Sequence, residues 1–277
     1  MKPPSMMSFG RAGLVFLLGV ALSARATELA VVPQGPAGIC SVEQWKRDWP
    51  GCQWGDGVKE GRLAIGERMG RRCFIVNYAV GGIGPEKGGV GWRFPVPRSD
   101  RAQLAYTVRF SEGFDWVKGG KLPGLCGGPE NVSGGHPANG TNGFSVRLMW
   151  RVDGRGEAYV YHKNQRSNYG DSFAFPDDFR FPAARDVRVR LAVTMNNPGQ
   201  RNGRLAVWIG TDDAPSERQV IDRTDLEWRS LDTIKVDSLM FETFHGGGDS
   251  SWAPTRACSA EFSQIAVITD FKMDAKP

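Results

Sequence analysis

Long apolar runs are nearly missing from this sequence. Past residue 23, no segment reaches the roughly 20 apolar residues that span a bilayer, so no membrane span is expected there. Sustained 3.6-residue periodicity is missing as well, which argues against a helical bundle or a strand–helix alternation. No internal repeat, low-complexity tail or linker divides the chain. No two cysteines have the C-x-x-C spacing of a zinc site, and neither a metal nor a cofactor is expected. A cysteine nucleophile also lacks an evident base, since only His136 stands near Cys126.

The one apolar stretch lies at the start. Lys2 and Arg11 precede Ala12 to Ser23, and Ala24-Arg25-Ala26 follows with small residues where a signal peptidase reads. Residues 1–26 are therefore expected to be a secretory signal, with one mature domain over 27–277 that is secreted or periplasmic. A broad basic field is missing too. The whole chain carries +5, but residues 1–26 hold Lys2, Arg11 and Arg25 and no acid, which leaves +2 on the mature chain. That excludes a generic nucleic-acid binder and leaves no reason for membrane contact once the signal is removed. A monomer is expected.

Export permits disulfides. Five cysteines leave at least one thiol unpaired, and the crowding of Cys40, Cys52 and Cys73 predicts a local bridge among them. Cys126 reads as a buried free thiol.

What the sequence does have is turns and short alternating strands. Glycine (36) and proline (17) are scattered throughout and punctuate runs such as Ala105 to Phe110, Val187 to Val193 and Leu205 to Ile209. Asn196-Asn197-Pro198-Gly199 is one such separator. This pattern predicts an all-β protein, an antiparallel β-sandwich of jelly-roll type with at most short helices. The best helix candidate runs from Ser41 to Asp48, where Ser41 can cap and Gln44 stands three residues on.

The segment from Gly143 to Lys163 is the most informative. Phe144, Val146, Leu148 and Trp150 share one face of a strand, and Ser145, Arg147, Met149 and Arg151 share the other. Asp153-Gly154 marks a turn, after which Ala158 and Val160 alternate with Tyr159, Tyr161 and Lys163. A two-residue loop would pair Ser145 with His162 and separate the polar sets. A three-residue loop, Val152 to Gly154 with Gly154 left-handed, pairs Arg147 with Tyr159 and Ser145 with Tyr161. A five-residue loop ending at Gly156 also keeps the four together. Only the odd lengths put all the apolar residues on the core side.

Such a face suits elimination from a uronic acid. The carboxylate must be neutralised, a base must take the C5 proton, and an acid must protonate the leaving oxygen. Arginine binds carboxylate through a planar fork that is always charged. Tyrosine can act as base or acid, and lysine can stabilise the enolate-like intermediate.

Lys118-Gly119-Gly120-Lys121-Leu122-Pro123-Gly124-Leu125 resembles a signature of polysaccharide lyase family 14, alginate and glucuronan lyases on a β-jelly roll. The resemblance continues through Phe144-Ser145-Val146-Arg147, Tyr159-Val160-Tyr161, Thr243-Phe244-His245-Gly246-Gly247 and Ser251-Trp252-Ala253-Pro254, roughly from Gly88 to the C-terminus. It implies an acidic polysaccharide substrate and catalytic roles for Lys121, Ser145, Arg147, Tyr159 and Tyr161. Lys121 and Arg147 would bind the carboxylate, either tyrosine or both would move protons, and Ser145 would orient substrate or a tyrosine hydroxyl. Lys118, His245 and Lys163 are candidate substrate-binding residues, His245 standing where the family usually has an aromatic. Two other readings stay open. One is a secreted, non-catalytic carbohydrate-binding jelly roll that stacks sugars on Trp92, Trp150, Trp208, Trp228 or Trp252. The other is a hydrolase using carboxylates such as Asp115 and Glu157.

Overall fold

A computed structural model describes residues 1, 26–214 and 216–271. The expected signal segment therefore lies almost wholly outside the described residues. Among those described, no helix is long and apolar enough to cross a membrane.

The chain runs through β1 (Thr27–Val31), β2 (Gly38–Ile39), α1 (Val42–Asp48), β3 (Gln53–Asp56), β4 (Leu63–Arg68) and β5 (Arg71–Tyr78). It continues with α2 (Gly84–Gly88), β6 (Gly89–Ser99), β7 (Arg101–Phe110), β8 (Gly119–Gly127), β9 (Phe144–Arg151), β10 (Gly156–Tyr161) and β11 (Asp171–Ala174). The last strands are β12 (Asp186–Thr194), β13 (Gly203–Thr211), β14 (Arg218–Leu226), β15 (Val236–His245) and β16 (Cys258–Thr269). They form two antiparallel sheets, the all-β sandwich of jelly-roll type that the alternation predicts. The rear sheet has the order β14-β13-β12-β7-β16-β5-β4-β2, with β1 also paired to β16. The front sheet has the order β11-β10-β9-β8-β15-β6-β3.

The inner faces of the sheets share one core, to which α1 contributes Trp45 and its C-cap residue Trp49. Trp49 packs within 5.0–5.4 Å of Phe74, Trp92, Phe94 and Phe241, so the N-terminal segment closes one end of the sandwich. The Ser41 side chain accepts a 3.1 Å bond from Gln44 N, as the capping pattern predicts, but the Gln44 side chain turns to Asp48 and Arg47.

The cysteines correct the expectation of a local bridge, for all five are free. Cys40, on the approach to α1, is buried and bonds its own neighbour's carbonyl, Ser41 O. Cys73 is buried on β5, whereas Cys52 is half-buried against the core after α1. Closeness in sequence has not made them partners: Cys40 and Cys52 pack with the core, whereas Cys73 lines a pocket with Arg68, Arg109, Asp186 and Glu261. Burial pushes Cys40 up to about 11 and Cys52 up to about 12, which keeps both protonated and unreactive. Cys126 is the buried free thiol expected, pushed up to about 12 by burial.

Candidate active site

The hairpin of β9 and β10 has the three-residue loop. Arg147 pairs with Tyr159 and Ser145 with Tyr161, and Arg151 N donates to Arg155 O around Val152–Gly154. Asp153 (φ 57°) and Gly154 (φ 75°) are both left-handed, a backbone that Asp tolerates and Gly adopts without strain. This register puts Phe144, Val146, Leu148, Trp150, Ala158 and Val160 into the core. The opposite side chains face outward on the front sheet.

Strand β8 adds Lys121. A register shift between Leu122 and Gly124 lets Leu122 and Leu125 both enter the core while Lys121 faces out opposite Met149. Phe244, on β15, lies opposite Lys121 on the other side. A cleft with an empty volume of about 980 Å³ opens over this face. Its floor carries Lys121, Arg147, Met149, Arg151, Tyr159 and Tyr161; its walls carry Ser133, Tyr169 and Trp252. The lining holds three cationic side chains and no carboxylate.

One wall is the loop of residues 128–143, which leaves and rejoins the sheet through a narrow neck. Gly128 (φ 105°) and Gly143 (φ 134°) face each other so closely that a Cβ on Gly128 would stand 2.4 Å from the Gly143 Cα. Gly128 N donates to Asp237 (3.0 Å), and buried Arg93 bonds both Asp237 and Gly128 O. A loop of this length with joined ends is an Ω-loop.

The electrostatics of the floor are uneven. The half-buried Lys121 keeps its amine inside the cleft, where Nζ donates to Met149 Sδ (2.9 Å) and lies 4.1 Å from the centre of the Tyr159 ring. Burial, then the charges of Arg147 and Arg151, hold its pKa well below the ordinary lysine range. Tyr159 moves the other way: burial, then the hydrogen bond that its hydroxyl donates to Tyr161, push it above the ordinary 10. The Tyr161 hydroxyl itself accepts from Gly135 N (3.2 Å). Arg147 is nearly fully enclosed, ion-paired with Glu242 and bonded to Ser133 Oγ (2.8 Å), while its Nε has no partner.

Three expected site residues do not reach the cleft. Ser145 lies in the right row but is fully buried, because the 128–143 loop folds over it and Ser145 Oγ donates to Val132 O (2.6 Å). It fastens the wall and does not touch the cleft. His245 alternates with Phe244 and so points into the core, where Phe114 stacks on it and Tyr78 and Trp150 meet it edge-on. Its Nε2 bonds Asp115 O (2.7 Å), and burial lowers its pKa. Lys163 turns away to Glu227 (2.6 Å). Lys118 stands at the rim, its Nζ donating to Ser251 Oγ (2.5 Å).

Other participants were less visible in sequence. Met149 shares its strand face with Arg147, but nothing in the sequence marks it as an acceptor for Lys121. Glu242 is a charge within the apolar run Met240-Phe241-Glu242-Thr243-Phe244, a signal of a buried partner that names none. Ser133 and Tyr169 lie outside the strands, where alternation gives no guidance.

His245→Phe is expected to retain activity and to lose a component of acid sensitivity. The native pKa is below the ordinary 6.5, so the unfolded chain binds the proton more readily. Stability is therefore full above about 6.5 and falls as pH drops towards the lowered native value. Equal slopes of Tm against pH in the two proteins would remove His245 from that account.

An antiparallel sandwich carrying an open, cation-lined cleft with lysine and paired tyrosines on its floor belongs to the class of polysaccharide lyases. Residues 67–265 match the family described as Polysaccharide lyase 14, which is more than half of the chain and begins upstream of the motifs read from sequence. The chain belongs to polysaccharide lyase family 14. Among solved structures it is similar to the marine PL-14 alginate lyase from Aplysia kurodai, with 25% identity and a TM-score of 0.76 over 88% of this chain and 98% of that one. It is similar to alginate lyase Aly36B at 24% identity and TM-score 0.74, covering 90% and 98%. The fold likeness extends to the endo-β-1,4-glucuronan lyase from the fungus Trichoderma reesei, at 14% identity and TM-score 0.51, covering 79% and 92%. No curated protein matches the chain.

Proposed function

We propose that the chain cleaves an acidic polyuronide, alginate or glucuronan, by β-elimination, with Lys121 as base and Tyr159 as acid. The observation that carries this reading is the opposed displacement of two touching groups, an amine that gives up its proton easily and a phenol that keeps its own. Paired groups whose environments drive their pKa values apart are suited to base and acid roles.

The step is balanced as follows. Neutral Lys121 Nζ takes the C5 proton, and the electron pair left on C5 is delocalised into the uronate carboxylate. The C4–O bond then breaks as C4=C5 forms, and the Tyr159 hydroxyl protonates the leaving oxygen. The Lys121 ammonium, with Arg147 beside it, offsets the charge that builds on the carboxylate. Arg147 acts through its field, since Glu242 and Ser133 occupy its fork and its Nε is buried. Tyr161 is a positioning residue: it holds the Tyr159 hydroxyl and is itself held by Gly135.

The cleft does not favour the two rival readings. A hydrolase would place paired carboxylates at the cleft, but Glu157 is taken by Arg151 and Ser172, and Asp115 by Thr255. Trp92, Trp150 and Trp228 are fully buried and stack no sugar, Arg190 covers Trp208 at 3.9 Å, and Trp252 in the cleft wall already faces Lys118 and Arg151. A binding module has no need of a lysine held ready to lose its proton. We further propose that residues 1–26 are removed on export and that residues 27–277 act as a secreted or periplasmic monomer.

Assay on a panel of polyuronides tests the reading: unsaturated products should form, and release of saturated sugars would sink it. Tyr159→Phe is expected to lower turnover about 10²–10⁴-fold, the range for a lost proton donor, with Tyr161→Phe losing less. Greater loss in Tyr161→Phe than in Tyr159→Phe would exchange their roles.

A further inference from the structure

Two cations at one end of the cleft are held by a single indole. The Arg151 guanidinium carbon lies 5.7 Å from the centre of the Trp252 ring and Lys118 Nζ lies 5.9 Å from it. Both distances fall within the range of cation–π attraction. The ring is fixed from behind, since a Cβ on Gly247 would stand 2.1 Å from it. Asp249 tethers the same turn by accepting from Ser251 N (2.8 Å) and Ser251 Oγ, the hydroxyl that also accepts from Lys118. Lys118 is otherwise exposed, and Arg151 is a quarter exposed beside its partner Glu157. Two long, mobile side chains are thus held at the cleft mouth ahead of any ligand. Arg151 stands two residues beyond Met149 on β9, about 7 Å further along the floor than the strand position that receives Lys121.

We propose that Lys118 and Arg151, held by Trp252, form a separate subsite for the carboxylate of the uronate next to the one that reacts. The proposal rests on the polyuronide reading above. It assigns Trp252 a positioning role: the ring keeps two cations in place and so lowers the entropy lost when the carboxylate binds. The subsite makes KM depend on chain length and on salt, because its cations meet solvent.

The test uses the full protein with a polyuronide polymer and a ladder of its oligomers. Lys118→Glu should raise KM on the polymer about tenfold with little change in kcat, and should flatten the dependence of KM on salt. Lys118→Arg should restore the KM, and Trp252→Phe should retain more of it than Trp252→Leu. Every cleavable oligomer has a neighbour across the bond that breaks, so the subsite is that of the neighbour on the other side, and the penalty should vanish on an oligomer that lacks it. An unchanged KM and salt slope in Lys118→Glu, with the wild type active, would overturn the subsite. Should the wild type cleave no polyuronide, the proposed reaction fails separately. Electrophoresis with and without polyuronate in the gel then reads the subsite: retardation by the polymer that is lost in Lys118→Glu supports it, and equal retardation of the two proteins overturns it.

Discussion

Lys121→Arg is expected to lose about 10²–10⁴-fold in turnover on a polyuronide, although it keeps the positive charge and most of the length. Arginine stays protonated at any working pH and cannot take a proton from C5. If Lys121 served only to neutralise the carboxylate, arginine would do so as well or better through its planar fork. Near-normal turnover in Lys121→Arg would therefore return the lysine to a carboxylate-binding role and leave the base to a tyrosine. The pH profile carries the same information. Because the Lys121 pKa lies below the ordinary lysine range, the rate should rise with pH through that lowered value. It should fall again only above the ordinary tyrosine range, where Tyr159 ionises. Lys121→Met should abolish activity and raise Tm at neutral pH, since a cation disfavoured by its surroundings is removed; an unchanged or lower Tm would contradict the unfavourable enclosure of the amine.

Glu242→Leu should destabilise the fold by about 3–5 kcal/mol, the range for leaving one member of a buried ion pair alone. Arg147 has no other carboxylate in its hydrogen-bonding set, only Ser133. Adding Arg147→Met should recover most of that stability, since an apolar pair of similar volume avoids the desolvation of both charges. The double variant should nevertheless remain inactive, because the charge beside Lys121 is gone. Urea denaturation measures the first effect and a lyase assay the second. A wild-type urea midpoint in Glu242→Leu would mean that the pair contributes nothing to stability.

The legible part of this protein is the part governed by alternation. Parity along β9 and β10 put Arg147, Tyr159 and Tyr161 on one side and the apolar residues on the other, and the odd-length turn joined the two sets. The same parity rule, applied to Phe244 and His245, would have sent His245 into the core; the resemblance drew it towards the cleft instead. Ser145 shows a different limit. Its face was read correctly, but a loop then covered it, and coverage by a distant segment leaves no trace in a strand's own sequence. The bulge at Pro123 and the Met149 acceptor were hidden for a related reason, since each depends on a neighbouring strand. The unmade cysteine bridge teaches the converse. Proximity in sequence says little about proximity of thiols when each is carried to a different part of the fold.

The neck formed by Gly128 and Gly143 separates two kinds of inheritance in this molecule. The sheet holds the groups proposed to move protons, and the loop beyond the neck supplies Ser133 and Gly134 to the cleft wall. With its ends already closed on each other, the loop transmits little of its own length or composition to the strands it joins. Yet it is also a brace: from beyond the neck, Val132 O holds Ser145, Ser133 holds Arg147 and Gly135 holds Tyr161, so a change within the loop reaches the floor through its contacts and not through the strands.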